Sequence, residues 1–308
     1  MPTDGGFTLD AEDWQVKIDA ARGGQILDCT WRGHEVLATA QAGFWPADSH
    51  AGCFPLVPYS NRIRDAAFSF SGRRISLPAS GFAMPHALHG LGWRQAWSGA
   101  QSGPGEITLV HNHDGEGWPW PYRARQQISI RGNQLHLTCE IENTGAGPMP
   151  AGIGLHPFFP RRPGTTLSLR AKGYWATAPD APGLPNGWCE LDPEADEFAA
   201  KAVASLDLDH CFTGWNRRAR ITYPDTGFSL SLAASPALSN LVIYCPQDRN
   251  ILCLEPVSHV NDAANLAGLE PTQAMTCLEP GGLLSGSLVL EAGQAVPPPG
   301  GARPGLKC

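Results

Sequence analysis

Three short segments of the sequence each place one proton-transfer side chain in an apolar or turn-forming context. They are residues 87–90 around His89, residues 154–157 around His156 and residues 253–256 around Glu255. Histidine and glutamate are common general acids and bases in enzymes. If the three side chains meet in one pocket, they predict acid–base chemistry that needs neither a redox group nor a metal.

The neighbours of these residues support this hypothesis without excluding simpler roles. Glu255 ends an apolar run that is typical of a buried strand, and a glutamate is seldom buried without a partner or a function. His156 lies where a glycine-containing strand meets a proline and aromatic turn. Burial would lower its pKa from about 6.5 and a nearby carboxylate would raise it, so the sequence does not determine whether His156 is charged at neutral pH. A strand-end salt bridge for Glu255 and a structural role for His89 are the alternatives.

Other polar residues have the chemistry to bind a substrate. A proline-braced stretch, residues 53–63, ends with Asn61 and Arg62, and the planar guanidinium of an arginine suits hydroxyl or carboxylate groups. Trp93 follows the His89 loop, and Asp209 lies where a strand meets a turn. A structural ion pair for Arg62 and a turn-capping role for Asp209 are equally compatible with the sequence.

A His-x-His pair, His111 and His113, would place both rings on one face of a strand, which is one arrangement of metal ligands. We interpret the following loop, residues 115–122, as a rigid aromatic segment whose rings could stack on a sugar. The sequence has no glycine-rich phosphate loop and no serine-nucleophile motif. We therefore expect no cofactor and no metal.

Charge and composition disfavour several classes of partner. The net charge is −7 with only 22 Lys and Arg residues, so nucleic acid is not an expected partner. No apolar run approaches the ~20 residues that cross a membrane, and the N-terminus lacks a signal pattern, which favours a cytoplasmic location. Nine cysteines without Cys-x-x-Cys spacing indicate reduced thiols that pack as small apolar groups.

The patterning of the chain predicts an all-β protein with little helix. The 35 glycines and 28 prolines separate short runs, and apolar and polar residues alternate in residues 67–71, 127–131, 134–142 and 228–232. Gly132 and Asn133 between two of these runs predict a tight hairpin. We expect one domain over residues 1–294 and a flexible Pro/Gly-rich tail over residues 295–308.

Five motifs in order along the chain resemble the aldose 1-epimerase, or galactose mutarotase, family. They are Pro-Leu-Val-Pro-Tyr-Ser-Asn-Arg-Ile at 55–63, Ala-Leu-His-Gly at 87–90, Gly-Leu-His-Pro-Phe-Phe at 154–159, Leu-Asp-His-Cys-Phe at 208–212 and Leu-Glu-Pro at 254–256. The resemblance implies a large antiparallel β-supersandwich and a cofactor-free enzyme. Its substrate would be a free monosaccharide whose α and β anomers it interconverts, and the protein would be a monomer or homodimer.

The resemblance also implies roles for individual residues. Glu255 resembles the general base that takes the proton of the anomeric hydroxyl, and His156 the general acid that protonates the ring oxygen. His89 resembles the second histidine, which hydrogen-bonds the ring-oxygen side, and Arg62 and Asp209 resemble hydroxyl-binding residues. In the family the first histidine is commonly followed by two glycines, whereas here Gly90 precedes Leu91, Gly92 and Trp93.

Three other functions stay open on the sequence alone. A hexose-6-phosphate epimerase would need basic residues for the phosphate, and Arg64, Arg73, Arg74 and Arg94 are candidates. A sugar-binding protein without turnover could keep the same pocket. A hydrolase or lyase would need two carboxylates that flank the bond, for which Asp209 and Glu255 are the candidates.

Overall fold

The structure is a computed structural model that describes residues 5–38, 52–178, 180–192 and 198–295. Strands make up 57% of it and helix only 4%, which confirms the all-β prediction. The strands are β1 (Gly6–Ala11), β2 (Trp14–Asp19), β3 (Gln25–Trp31), β4 (His34–Leu37), β5 (Cys53–Leu56), β6 (Arg62–Ile63), β7 (Ala67–Phe70), β8 (Arg73–Ser76), β9 (Ala87–Leu88), β10 (Ser98–Gly103), β11 (Glu106–His113), β12 (Tyr122–Arg131) and β13 (Gln134–Asn143). They continue with β14 (Met149–Ala151), β15 (Gly154–Pro160), β16 (Thr166–Leu169), β17 (Gly173–Ala178), β18 (Ala181–Glu190), β19 (Lys201–Ala202), β20 (Leu208–Thr213), β21 (Arg218–Tyr223), β22 (Phe228–Ala234), β23 (Asn240–Cys245), β24 (Ile251–Val257), β25 (Thr276–Leu278) and β26 (Leu283–Gln294). Short 3-10 segments span Arg64–Ala66, Gly81–Ala83, Gly92–Arg94 and Val203–Ser205.

Two large antiparallel sheets contain most of these strands. The first has 11 strands in the order β1-β2-β3-β5-β15-β24-β23-β20-β17-β18, with β4 paired to β3. The second has 9 strands in the order β10-β11-β12-β13-β26-β22-β21-β16-β19. Three two-stranded ladders, β14-β25, β6-β9 and β7-β8, complete the fold. This arrangement confirms the predicted antiparallel supersandwich.

Burial follows the alternation seen in the sequence. Along β13 every second residue is buried, as expected for a strand with one face on the core. By contrast, β15 and β24 are buried at every position. On one face of these two strands Leu155, Phe159 and Leu254 join the main core, and on the other Phe158 and Cys253 join a smaller apolar cluster. The centre of the first sheet is therefore covered on both sides.

The predicted hairpin is present. Its strands are β12 and β13, paired from Arg131 with Gln134, and Gly132 takes a φ of +60° in the turn. The Asn133 side chain donates to the carbonyl of Ala292 at 2.8 Å, which ties the turn to β26. The short strands predicted over residues 67–71 and 228–232 are also present as β7 and β22.

Several predictions concern the chain as a whole. The prediction of a flexible tail over residues 295–308 lies outside the described residues, apart from Ala295. Of the nine cysteines, the eight in the described part of the chain are free thiols, as predicted. Among the described residues no helix is long and apolar enough to cross a membrane.

Candidate active site

Neighbouring strands in the middle of the first sheet bring His156 and Glu255 together. Strand β15 pairs with β24 so that Gly154 lies opposite Val257 and Phe158 opposite Cys253. His156 and Glu255 lie midway between these pairs and on the same face. His156 Nε2 lies 3.2 Å from Glu255 Oε1, and each side chain is only 3% exposed. The structure therefore joins the two residues that the sequence proposed as acid and base.

Burial controls the protonation of this pair. It lowers the pKa of His156 to about 3, because the charged imidazolium loses its water. It also raises the pKa of Glu255 well above the usual range, with the negative charge of Asp209 adding to the effect and Arg62 opposing it. Both shifts disfavour separate charges, so the pair is best described as one unit that holds one exchangeable proton between Nε2 and Oε1.

His89 lies beside this pair on a loop with unusual backbone geometry. Its ring centroid is 5.1 Å from that of His156, in an edge-to-face arrangement. Its Nδ1 accepts a hydrogen bond from the backbone N–H of Asn61 at 3.1 Å. Burial lowers its pKa well below the usual value, and the neighbouring His156 and Arg62 lower it further. A neutral His89 therefore carries its proton on Nε2 and acts there as a donor.

The residue after His89 must be a glycine. Gly90 has a φ of +67°, and a Cβ at this position would lie 2.2 Å from the carbonyl oxygen of Val57. There is no space for a Cβ atom, so only glycine lets the loop pack this closely against the backbone before Pro58. The His-Gly dipeptide noted in the sequence is thus explained by backbone approach.

Aromatic rings hold His156 in place. Its ring stacks on Phe158 with centroids 4.4 Å apart and contacts Phe54 at 4.5 Å. Trp93, a predicted substrate contact, is only 3% exposed and stacks on Phe54 at 5.2 Å. The Arg94 guanidinium lies over the Trp93 ring, 4.2 Å from its centroid. A direct contact between Trp93 and substrate stays a prediction, and its packing role is what the structure describes.

Arg62 and Asp209 approach the same carboxylate from another side. The charge of Arg62 opposes the raised pKa of Glu255 and that of Asp209, which burial also raises. A Cβ on Gly183 would collide with the Arg62 guanidinium and with the Asn61 side chain, so β18 lies directly against Arg62. Arg62, Asp209 and Glu255 thus lie close enough to influence one another's protonation, and Asp209 is half-buried.

The hydrogen bonds of Asn61 are made to neighbouring residues of the site. It is 4% exposed, and its Oδ1 accepts the backbone N–H of Arg62 at 2.9 Å. Its backbone also exchanges hydrogen bonds with His89. The structure therefore places Asn61 where it orients Arg62 and His89, and a direct bond to substrate stays a prediction.

Sequence reasoning missed two residues of this site. Tyr244 pairs with Asp209 on β20 and with Cys253 on β24, so it lies on the same face, half-buried. Burial raises its pKa to about 12. Gly183 is held by Asn261, whose Nδ2 donates to the Gly183 carbonyl at 3.0 Å. Tyr244 ends an apolar run, which was the available signal, but Gly183 carried none.

The His-x-His pair bonds to backbone carbonyls, and two rings of the aromatic loop, those of Trp118 and Tyr122, lie in the core. Nδ1 of His111 lies 3.3 Å from the carbonyl oxygen of Ala96, and Nε2 of His113 lies 2.8 Å from that of Trp118. Trp118 and Tyr122 are 0% and 1% exposed. The expectation that rings of this loop stack on a sugar is therefore wrong for these two, because their apolar surface is already buried.

Comparison with known proteins finds relatives that match most of the chain. The family model described as Aldose 1-epimerase matches residues 7–297. The chain is 29% identical over 275 residues to the uncharacterized protein YphB of Escherichia coli (strain K12), which covers 85% of this chain and 93% of YphB. It resembles a crystal structure of an Escherichia coli K12 protein with a TM-score of 0.81 and 27% identity, over 94% of this chain and 99% of that one.

A second solved structure shows the same fold at lower identity. It is galactose 1-epimerase from Lactobacillus acidophilus NCFM, with a TM-score of 0.74, 16% identity and coverage of 94% of this chain and 95% of that one. Because the family model covers nearly the whole chain, this protein belongs to the aldose 1-epimerase family. Membership of that family implies an isomerase that acts on carbohydrates.

Proposed function

We propose that this protein is an aldose 1-epimerase that interconverts the α and β anomers of a free aldose. The observation that supports this most strongly is the buried contact of 3.2 Å between His156 Nε2 and Glu255 Oε1. Opening a cyclic hemiacetal requires removal of a proton at one oxygen and delivery of a proton to another. A histidine and a glutamate in contact can do both, and such catalysis contributes typically ~10²–10⁴-fold.

The protons of the proposed reaction balance within the His156 and Glu255 pair. In the reactive state the one proton of the pair lies on His156 Nε2 and Glu255 is a carboxylate. Glu255 takes the proton of the anomeric hydroxyl as the bond between C1 and the ring oxygen breaks, and His156 gives its proton to that ring oxygen. The product is an open-chain aldehyde. Rotation about the bond between C1 and C2 then presents the other carbonyl face, and the two residues act in reverse to close the ring. One proton enters and one leaves the protein in each half, so no outside acid or base is required.

The remaining residues orient the sugar. Neutral His89 donates from Nε2 towards the ring-oxygen side, where negative charge develops before the proton arrives. Arg62 and Asp209 bind hydroxyl groups, one as donor and the other as acceptor. Asn61 fixes Arg62 and His89, and Trp93 supports the aromatic wall behind His156. We further propose that the protein acts in the cytoplasm as a monomer or homodimer.

A free sugar is better supported than a phosphosugar. Among the arginines proposed to bind a phosphate, Arg64 lies 3.4 Å from Asp262 and Arg94 lies over the Trp93 ring. Both guanidinium groups already have partners. Arg73 and Arg74 are exposed on β8, in a small hairpin with β7. A phosphate site built on Arg64 or Arg94 would have to compete with the contacts to Asp262 and Trp93.

Polarimetry on freshly dissolved α-D-glucose, α-D-galactose, L-arabinose and D-xylose tests the proposal. We expect faster approach to anomeric equilibrium with at least one of these sugars. Binding of a sugar without any acceleration would instead identify a sugar-binding protein, and a strong preference for glucose 6-phosphate would identify a phosphosugar epimerase. Release of new reducing ends from oligosaccharides, measured in parallel, should be absent.

A further inference from the structure

The geometry points to a zinc-binding site, formed by His156, Cys253 and Glu255, at which Zn²⁺ inhibits the enzyme. Each residue offers one donor atom, and the three donor atoms lie within 4.8 Å of one another. All three side chains are buried. The site needs no residue from outside the first sheet.

The strand register explains why these side chains converge. Cys253 and Glu255 are two positions apart in β24, so both point to the same face of the sheet. Phe158 pairs with Cys253 on the neighbouring strand β15, two residues beyond His156. His156 Nε2 is already 3.2 Å from Glu255 Oε1.

This donor set matches the chemistry of zinc. Zn²⁺ binds thiolate at about 2.3 Å, imidazole nitrogen at about 2.0–2.1 Å and carboxylate oxygen at about 2.0–2.2 Å. In a tetrahedral site such ligand atoms lie roughly 3.3–3.7 Å apart, so small side-chain adjustments close the present arrangement. Three protein ligands leave the fourth position for water. On binding, the Cys253 thiol proton and the proton that His156 and Glu255 share are both released to solvent as the bonds from zinc to sulfur, nitrogen and oxygen form.

A second observation also indicates a ligand at this point. Glu255 is 2% exposed, and its second carboxylate oxygen, Oε2, has no hydrogen-bond partner among the described residues. A buried carboxylate oxygen without a partner is costly, and a bound cation would satisfy it. The sugar hydroxyl in the proposed reaction would satisfy the same atom. Zinc and sugar should therefore exclude each other.

Cobalt binding tests the site without turnover. Co²⁺ replaces Zn²⁺ in such sites, and a cobalt–thiolate bond gives a charge-transfer absorption in the near ultraviolet. We expect wild type to develop this band with one equivalent of Co²⁺, and Cys253→Ala and Cys253→Val to lack it. The matched control is Cys277→Ala, which removes an exposed cysteine and should keep the band. A band of equal strength in both Cys253 variants would overturn the proposed site.

The inhibitory effect rests on the proposed function and has its own test. Anomer exchange is measured against Zn²⁺ concentration, with each variant normalised to its own rate without metal. We expect the inhibition constant of Cys253→Val to rise at least about tenfold, because a ligand is lost, and that of Cys277→Ala to stay unchanged. Equal inhibition of wild type and Cys253→Val would overturn the inference. If anomer exchange is never accelerated, the proposed function fails, while the cobalt spectrum still decides the metal site.

Discussion

Asn61 and His89 hold each other through two hydrogen bonds. The backbone N–H of Asn61 donates to Nδ1 of the His89 ring at 3.1 Å, and the backbone N–H of His89 donates to the Asn61 carbonyl at 2.9 Å. Both residues take left-handed backbone angles, with φ of 53° and 59°. Such angles cost of order 1–3 kcal/mol each and cluster at functional sites. The backbone thus determines which ring nitrogen of His89 carries the proton.

The His89 tautomer can be observed directly. Because Nδ1 accepts a hydrogen bond and burial lowers the pKa of His89, we expect the neutral form with the proton on Nε2 to persist at pH about 6.5, where an ordinary histidine is half protonated. Nitrogen-15 NMR of labelled imidazole rings distinguishes this form from the other tautomer and from imidazolium. Assignment uses the His89→Gln variant. A proton on Nδ1 would contradict the described bond.

The contact between Gly183 and Arg62 predicts an effect on substrate binding. Gly183→Ala should displace the Arg62 guanidinium and raise KM at least about tenfold. The matched control is Gly72→Ala, since Gly72 has a φ of +74°, close to the +73° of Gly183, but open space around it. Each change should cost about 1–2 kcal/mol of stability through the backbone angle. Equal KM values for the two variants would argue against the role of Arg62.

Because the pKa of His259 is lowered, we predict that the protein loses stability in acid. Its Nε2 accepts the backbone N–H of Ser60 at 3.1 Å, and burial lowers its pKa to about 4. Between pH about 6.5 and 4 the unfolded chain binds a proton that the folded protein does not, so stability falls as pH falls through this window. The slope is about 1.4 kcal/mol per pH unit for one proton. Denaturant unfolding of wild type and His259→Gln at several pH values should show a shallower slope for the variant. Equal slopes of unfolding free energy against pH for wild type and His259→Gln would contradict the lowered pKa of His259.

Glu255 gives a pH dependence of stability that is opposite in sign to that of His259. Its raised pKa means that above pH about 4.3 the unfolded chain loses a proton that the folded protein retains. Its contribution to stability is therefore full below that pH and is lost as pH rises towards the folded-state pKa. Glu255→Gln cannot titrate, so its unfolding free energy should increase relative to wild type as pH rises above about 4.3, by up to about 1.4 kcal/mol per pH unit. A constant difference across this range would contradict the shift.

Local patterning was sufficient to predict the class of fold. Alternating apolar residues identified β7, β13 and β22, and Gly132 with Asn133 identified the turn before β13, because these signals act over a few residues. The pairing of β15 with both β5 and β24 could not be predicted in this way. It joins segments about a hundred residues apart, whose continuous apolar runs allow many registers.

In the candidate site, too, residues with a local signal could be predicted from the sequence, whereas contacts that depend on strand register could not. His156 and Glu255 were identified because each interrupts an apolar run with a proton-transfer group. Tyr244 reaches the site only through its cross-strand neighbours Asp209 and Cys253, which depend on register. Asn61 was interpreted as a substrate ligand, whereas its left-handed backbone and its bonds to His89 emerge only from the folded chain.

The central claim is that His156 and Glu255 together open the sugar ring. Anomeric-proton exchange NMR on the best sugar from the polarimetry panel tests it most directly, with wild type, His156→Gln, Glu255→Gln and the double variant. The control Glu291→Gln removes a carboxylate from β26 in the second sheet. We predict that each single change in the pair slows exchange by about 10²–10⁴-fold and that the double variant is little slower than either. Full activity of Glu255→Gln on every sugar that wild type accepts would contradict the mechanism.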